Sequence, residues 1–218
     1  MRHAMLVLAV VVFCSSIGKP QTAAGEDLER IPLPAPTMEG GKPLMEALRD
    51  RHTSRRFSDR PLHLDVLGNL LWAAFGVNRP DEGKRTAPSA WNQQEIDIYV
   101  ATAHGLYLYD ARAHALDLIL DEDIRPMTGT QPFVGTAPIN LVYVADFSKM
   151  ARTPEGDKVL YSAANAGLIA ENVYLFSASE GLAVVVRGLI DREPLAGKMG
   201  LGPEQRILLA QTVGYREG

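Results

Sequence analysis

Between Leu48 and Pro61 the chain reads LRDRHTSRRFSDRP. Five arginines (Arg49, Arg51, Arg55, Arg56, Arg60) and His52 fall within this one stretch of a protein whose formal net charge is -4. The order Arg51-His52-Thr53-Ser54-Arg55 alternates cationic donors with small hydroxyls. Guanidinium groups bind phosphate oxygens through paired hydrogen bonds, and hydroxyls add further donors. One compact phosphate would satisfy the set. Two other readings stand beside it: a solvated basic patch that meets a partner without any cofactor, and a nucleic-acid contact. The acidic overall balance and the lack of aromatic residues among the arginines weigh against nucleic acid.

Other chemistry is missing. The sequence has no G-x-x-x-x-G-K-[ST] loop, no G-x-G-x-x-G after a strand, no H-E-x-x-H and no G-x-S-x-G. Its five histidines (3, 52, 63, 104 and 114) have no spacing that puts two on one helical face as metal ligands. His104 and His114 fall in predicted turns, where solvent exposure is expected of both. The one cysteine, Cys14, lies in an N-terminal leader. MRHAMLVLAVVVFC has a basic start and an apolar run too short to span a bilayer, followed by small and polar residues. Residues 1–24 therefore read as a signal peptide cleaved near Ala24, with an uncleaved anchor as the alternative. The expectation is export, to the periplasm, with no stable membrane anchor. A mature chain without cysteine has no disulfide, thiolate metal site or cysteine nucleophile.

The elements that position the arginines can be read from pattern. Residues 25–43 are rich in Pro and Gly and predict an extended arm. A helix follows, with Leu44, Ala47 and Leu48 on one face, ending at the cluster. LDVLGNLLWAAFG predicts a second helix stopped at Gly76, and 77–95 a polar loop. IDIYVAT, LYLYDA and HALDLIL alternate as strands, whereas INLVYVA (139–145) is apolar throughout, as a central strand would be. Residues 157–180 predict the longest helix, which carries few charges and many small residues. Burial on more than one side is expected of it. A strand, LAVVVRG, a short helix near 193–199 and a last strand, RILLAQTVGY, complete the chain. Helices and strands mix without a βαβ rhythm, so the fold class is α+β.

RHTSRRF after a first helix, the PLHLDVLGNLLWAAFG helix, RTAPSAWNQQ (85–94), APINLVYVAD (137–146) and AGLIAENVYLFSASEGLAVVV (166–186) occur in that order. Together with the final QTVGY strand they resemble the FMN-dependent nitroreductase family over roughly 44–215. The LLWAAFGVNR and RTAPSA spelling is closest to the branch that includes dehydrogenases forming thiazole and oxazole rings in peptides. The resemblance implies a nitroreductase-like domain over 44–218, with a mixed, largely antiparallel sheet flanked by helices and a long helix at a homodimer interface. It further implies FMN bound at that interface. By position, Arg51, His52, Thr53 and Arg55 would hold the phosphate and ribityl chain, with a cation near the pyrimidine edge favouring negative charge at N1 and O2. Pro88, Ser89 and Asn92 would come from the partner subunit, and Gln131 would offer its amide. Val185, Val186, Arg187 and Gly188 would pass the ring, with backbone N–H groups towards it. NAD(P)H is the implied donor, and a nitroaromatic, quinone or similar small molecule the acceptor. A non-catalytic periplasmic flavin or small-ligand binding protein on the same fold is the alternative. Two features depart from the pattern. Arg216 is the one basic residue after the final strand, and the leader lacks the twin arginines of folded-protein export although FMN is made in the cytoplasm.

Overall fold

A computed structural model describes residues 29–217. The leader 1–24 and the first residues of the arm lie outside that range. In chain order the elements are β1 (Arg30–Pro32), α1 (Leu44–Asp50), α2 (Leu64–Phe75), β2 (Val77–Arg79), β3 (Lys84–Arg85), β4 (Ile96–Thr102), β5 (Gly105–Asp110), β6 (Ala115–Leu120), β7 (Ile139–Asp146), α3 (Lys158–Glu180), β8 (Leu182–Arg187), α4 (Arg192–Met199) and β9 (Gln205–Tyr215). Seven strands form one sheet in the order β1-β6-β5-β4-β7-β9-β8, and every pairing is antiparallel. The α+β expectation holds.

The sheet is covered on both faces, and the strand sequences show why. In β4, Ile96, Ile98 and Val100 point to the face covered by α2 and α3, while Tyr99 and Ala101 point to the α4 face. In β7, Leu141, Tyr143 and Ala145 face α2 and α3, and Val142 and Val144 face α4. A strand buried on both sides needs apolar residues at both parities, which is the origin of the unbroken INLVYVA run. The larger core is built from Leu67, Leu70, Leu71, Ala74 and Phe75 of α2 and Ala166, Ile169 and Val173 of α3. Truncating a fully buried leucine here, such as Leu71, costs ~2–5 kcal/mol.

Several expectations are refined. The arm is not loose. Its start forms the edge strand β1, Leu33 N–H donates to His114 O (3.0 Å), and Lys42 N–H donates to Ser179 Oγ (2.9 Å). The loop at 77–95 contains the short hairpin β2–β3. His114 is half-buried, not exposed, because its ring bridges Tyr109 Oη (3.0 Å) and Pro34 O (2.9 Å). Of the α1 positions Leu44, Ala47 and Leu48, only Ala47 is buried. α2 ends at Gly76, whose backbone is extended and where a Cβ would overlap Trp72.

One protomer covers only part of the long helix. Ser162, Asn165, Ala166, Ile169, Ala170 and Val173 face the core, but Val159, Leu160, Ala163, Ala164, Gly167 and Leu168 form an exposed strip. Within one protomer α3 is buried on one side only. Gly181, at φ 72°, ends the helix in a left-handed turn that suits glycine and sends the chain directly into β8.

Candidate functional site

The arginine cluster occupies the turn after α1 and an extended segment beyond it. Arg51 is the C-terminal cap of α1, and its N–H donates to Ala47 O. Ser54 N–H then donates to Val184 O (2.9 Å), which lays the segment along β8. Further on, Ser58 N–H donates to Tyr215 O (3.0 Å), and Phe57 bridges to Arg216. The last strand thus returns beside the cluster and brings exposed Arg216 with it.

Tyr174 of α3 joins these pieces. Arg51 lies over its ring, 5.3 Å from the centroid, and its Oη meets Thr53 Oγ1 at 3.0 Å. The same Oη accepts the Val186 N–H at 3.0 Å. The cluster and the 185–188 segment, far apart in sequence, are therefore neighbours through one hydroxyl. Pattern alone marks Tyr174 only as a helix residue; its spacing, with Ile169 and Val173 facing inwards beside it, gives no sign of this role.

The charges of the cluster divide in two. Arg49 pairs with Asp50 (3.1 Å) and Glu46 (3.5 Å), and Lys42 pairs with Asp50 (2.8 Å). These contacts hold the Asp50 carboxyl below its ordinary range, chiefly through the Lys42 hydrogen bond. Arg60 stacks on the Tyr215 ring, 3.6 Å from its centroid. His52 Nδ1 lies 2.8 Å from Asp50 O. Among the described residues, Arg51, Arg55, Arg56 and Arg60 have no carboxylate partner, and of these Arg60 is engaged by the Tyr215 ring and Arg51 by that of Tyr174. The cluster thus carries a local excess of positive charge that the described carboxylates do not neutralise.

The ring-side candidates differ in what they have free. The Val186 N–H is already taken by Tyr174, so it is not free to reach a ligand. Gly188 is exposed and its N–H is unused by the described hydrogen bonds. The Arg187 side chain turns inwards, donating to Thr212, Thr128 and Asn140. Gln131 lies at the start of a 3₁₀ turn, beside a cleft of about 510 Å³ that Gly129, Thr130 and Asp191 also line. Its Oε1 is buried and has no hydrogen-bond partner.

Pro88, Ser89 and Asn92 lie elsewhere. Ser89 Oγ accepts the Gln94 N–H (3.0 Å), and the loop is tied to Thr153 and Arg152 through Gln93. Trp91 packs edge-on against Tyr161, with ring centroids 5.4 Å apart. Tyr161 and Tyr174 are on the same helix, and at 1.5 Å per residue their separation along it is roughly 20 Å. One protomer does not bring this loop to the cluster.

The model of the nitroreductase family matches residues 48–215. The chain belongs to the nitroreductase family. A Methanocaldococcus jannaschii protein named as a nitroreductase is 32% identical over 155 residues, which is 66% of this chain and 78% of that protein. The crystal structure of a protein from Ralstonia eutropha described as a nitroreductase is 46% identical, with a TM-score of 0.84 over 90% of this chain and 93% of that one. Another, from Desulfovibrio desulfuricans and solved in complex with FMN, has a TM-score of 0.59 at 20% identity, over 81% and 88% of the two chains. At that identity the likeness is one of fold. The nitroreductase architecture and membership support an oxidoreductase of the flavin-using kind.

Proposed function

We propose that this nitroreductase is a homodimeric FMN oxidoreductase that takes electrons from NAD(P)H and passes them to a nitroaromatic, quinone or similar small acceptor. The observation that carries the reading is the junction at Tyr174. It sets two arginines without carboxylate partners, Arg51 and Arg55, beside the strand that leads to the exposed backbone of Gly188.

The donor set fits FMN. A dianionic phosphate matches two free guanidinium groups and the Thr53 hydroxyl. The orphaned Gln131 Oε1 suits the N–H of a flavin pyrimidine edge, and the Gly188 N–H suits an acceptor atom of the ring. FMN, when bound, supplies the two-electron exchange between donor and acceptor. The residues of this chain hold its phosphate, orient its ring and shield one side from water. Arg216, beside Phe57, adds a cation at the phosphate end.

The exposed strip of α3 supports the dimer. Val159, Leu160 and Leu168, at 60%, 66% and 46% exposure, flank Ala163, Ala164 and Gly167 and make a surface that another helix can approach closely. If two copies pack this strip about a twofold axis with the helices antiparallel, the Tyr161 turn of one α3 lies opposite the turn near residue 166 of the other, roughly 12 Å along the axis from Tyr174 where within one protomer it is roughly 20 Å. That arrangement carries Pro88, Ser89 and Asn92 of the second copy towards the cluster of the first. The leader at 1–24 sends the chain to the periplasm, which the mass of the mature N-terminus tests.

Reconstitution with FMN tests the central reading. A yellow protein that bleaches with NAD(P)H and recovers its colour with a quinone or nitro compound is expected. Retained colour without bleaching would assign a flavin-binding protein that is not an enzyme. Failure to take up FMN would sink both.

A further inference from the structure

β8 ends on a buried cation with no counter-ion. Arg187 is 4% exposed. Its guanidinium donates from Nε to Thr212 Oγ1 (3.0 Å), from Nη1 to Thr128 O (2.8 Å) and from Nη2 to Asn140 Oδ1 (2.9 Å). All three acceptors are neutral. Asn140 is itself fixed, since its Oδ1 also accepts from Thr212 Oγ1 (2.6 Å) while its Nδ2 donates to Val134 O (2.8 Å). Gly129 leaves room for the group, because a Cβ there would overlap Nη1. No described carboxylate forms an ion pair with Arg187.

This arrangement is costly. Moving a cation out of water without an opposing charge is unfavourable, and burial pushes the Arg187 pKa down to about 10. Hydrogen bonding alone does not require a charge at this position. The location gives the charge a use. Arg187 precedes Gly188, and its Nη1 grips the carbonyl of Thr128 in the loop that leads through Gly129 to Gln131. Gly188 and Gln131 are the two residues that the FMN reading sets at the ring.

We propose that Arg187 is a positioning residue for the flavin site: it clamps the 128–131 loop and lends the ring a fixed positive charge that favours the reduced, more negative form of the cofactor. The inference rests on the FMN reading. A charge inside the protein is screened less than one on its surface, so its influence reaches further than that of Arg51 or Arg55. It acts through the field and through the loop, since its own donors are engaged within the protein.

The test is the midpoint potential of FMN on the reconstituted holoprotein, measured against a reference dye. Arg187→Met is expected to lower it by about 30 mV or more, a tenfold loss of preference for reduced over oxidised FMN in a two-electron couple. Arg187→Lys, which keeps the charge, should retain most of the wild-type potential. Asn140→Asp sets a carboxylate against Nη2 and should lower the potential with the arginine still present. A merely structural role moves the melting temperature of these variants and leaves the potential where it was. Arg187→Met or Asn140→Asp holding FMN at the wild-type potential overturns the proposal while the FMN reading stands. If Arg187→Met does not fold, Asn140→Asp decides alone. A wild-type protein that never takes up FMN overturns both.

Discussion

The two edges of the sheet handle charge in opposite ways. At the β1–β6 edge several polar groups find partners within the chain, although the exposed Arg112 has no carboxylate among the described ion pairs. Arg30 spans Asp117 (2.6 Å) and Asp110 (3.2 Å), and His114 sits between Tyr109 and Pro34. At the β8 edge Arg51 and Arg55 have no carboxylate, Gln131 Oε1 has no donor, and the helix beside it exposes an apolar strip. The first edge neutralises Arg30 within the protomer, whereas the second keeps a surplus of positive charge and an unpartnered buried acceptor.

If that contrast is right, substitutions at the β8 edge must cost ligand binding, and those at the β1 edge must not. The largest effect is expected from Arg51→Ala combined with Arg55→Ala. Each removes charge-assisted hydrogen bonds worth ~1.5–3 kcal/mol, so FMN affinity by fluorescence titration should fall ~100-fold or more with the circular dichroism unchanged. A double variant that keeps its flavin would break the comparison. Next comes Leu168→Glu on the exposed strip of α3. An unpaired charge buried in a helix–helix interface costs ~3 kcal/mol or more, so sedimentation should show a monomer with little bound FMN. An unchanged dimer would place the interface elsewhere.

Tyr174→Phe sharpens the junction itself. It leaves the Val186 N–H without a partner, at a cost of ~1–3 kcal/mol in denaturant unfolding, and it should loosen Thr53 and weaken FMN binding several-fold. A smaller effect is expected at His114, whose pKa burial lowers from its ordinary 6.5. The unfolded chain then binds the proton more readily, so stability is complete above about pH 6.5 and declines as the pH falls towards the folded value. His114→Asn should flatten that part of the stability–pH curve, while a curve that keeps its slope would assign the effect to another group. The smallest effect is expected from Arg30→Ala, at an exposed pair. FMN binding and the melting temperature should both stay where they are.

Much of this was legible in the sequence, for physical reasons that can be named. The α+β class followed from helices and strands that mix without a βαβ rhythm, and the unbroken apolar run of β7 from its burial on both faces. The cluster was legible because five arginines in an acidic chain are conspicuous, but the sequence did not show that only Arg49 of the five is paired with carboxylates. What stayed hidden depended on long-range contact. His114 sits in a turn, yet the arm folds back to cover it. Tyr174 serves the cluster through one hydroxyl whose partners are more than a hundred residues away on one side. The inward turn of Arg187 follows from three acceptors on three other segments, and no local pattern announces it. The strip of α3 is a related case: a helix poor in charge asks to be covered, and one protomer covers only one side of it.

The loop after β3 carries a consequence of its own. Trp91, Asn92 and Gln94 take φ values of 52°, 55° and 52°, in the left-handed region that non-glycine residues enter at a cost of ~1–2 kcal/mol each. Gln93 fastens the loop to Thr153 and Arg152, and Gln94 bonds to Arg85 and to Gly83 O. Its shape is therefore set during folding rather than at the moment of contact. Little conformational freedom remains to be lost when another molecule docks against it, and that favours rapid association without rearrangement.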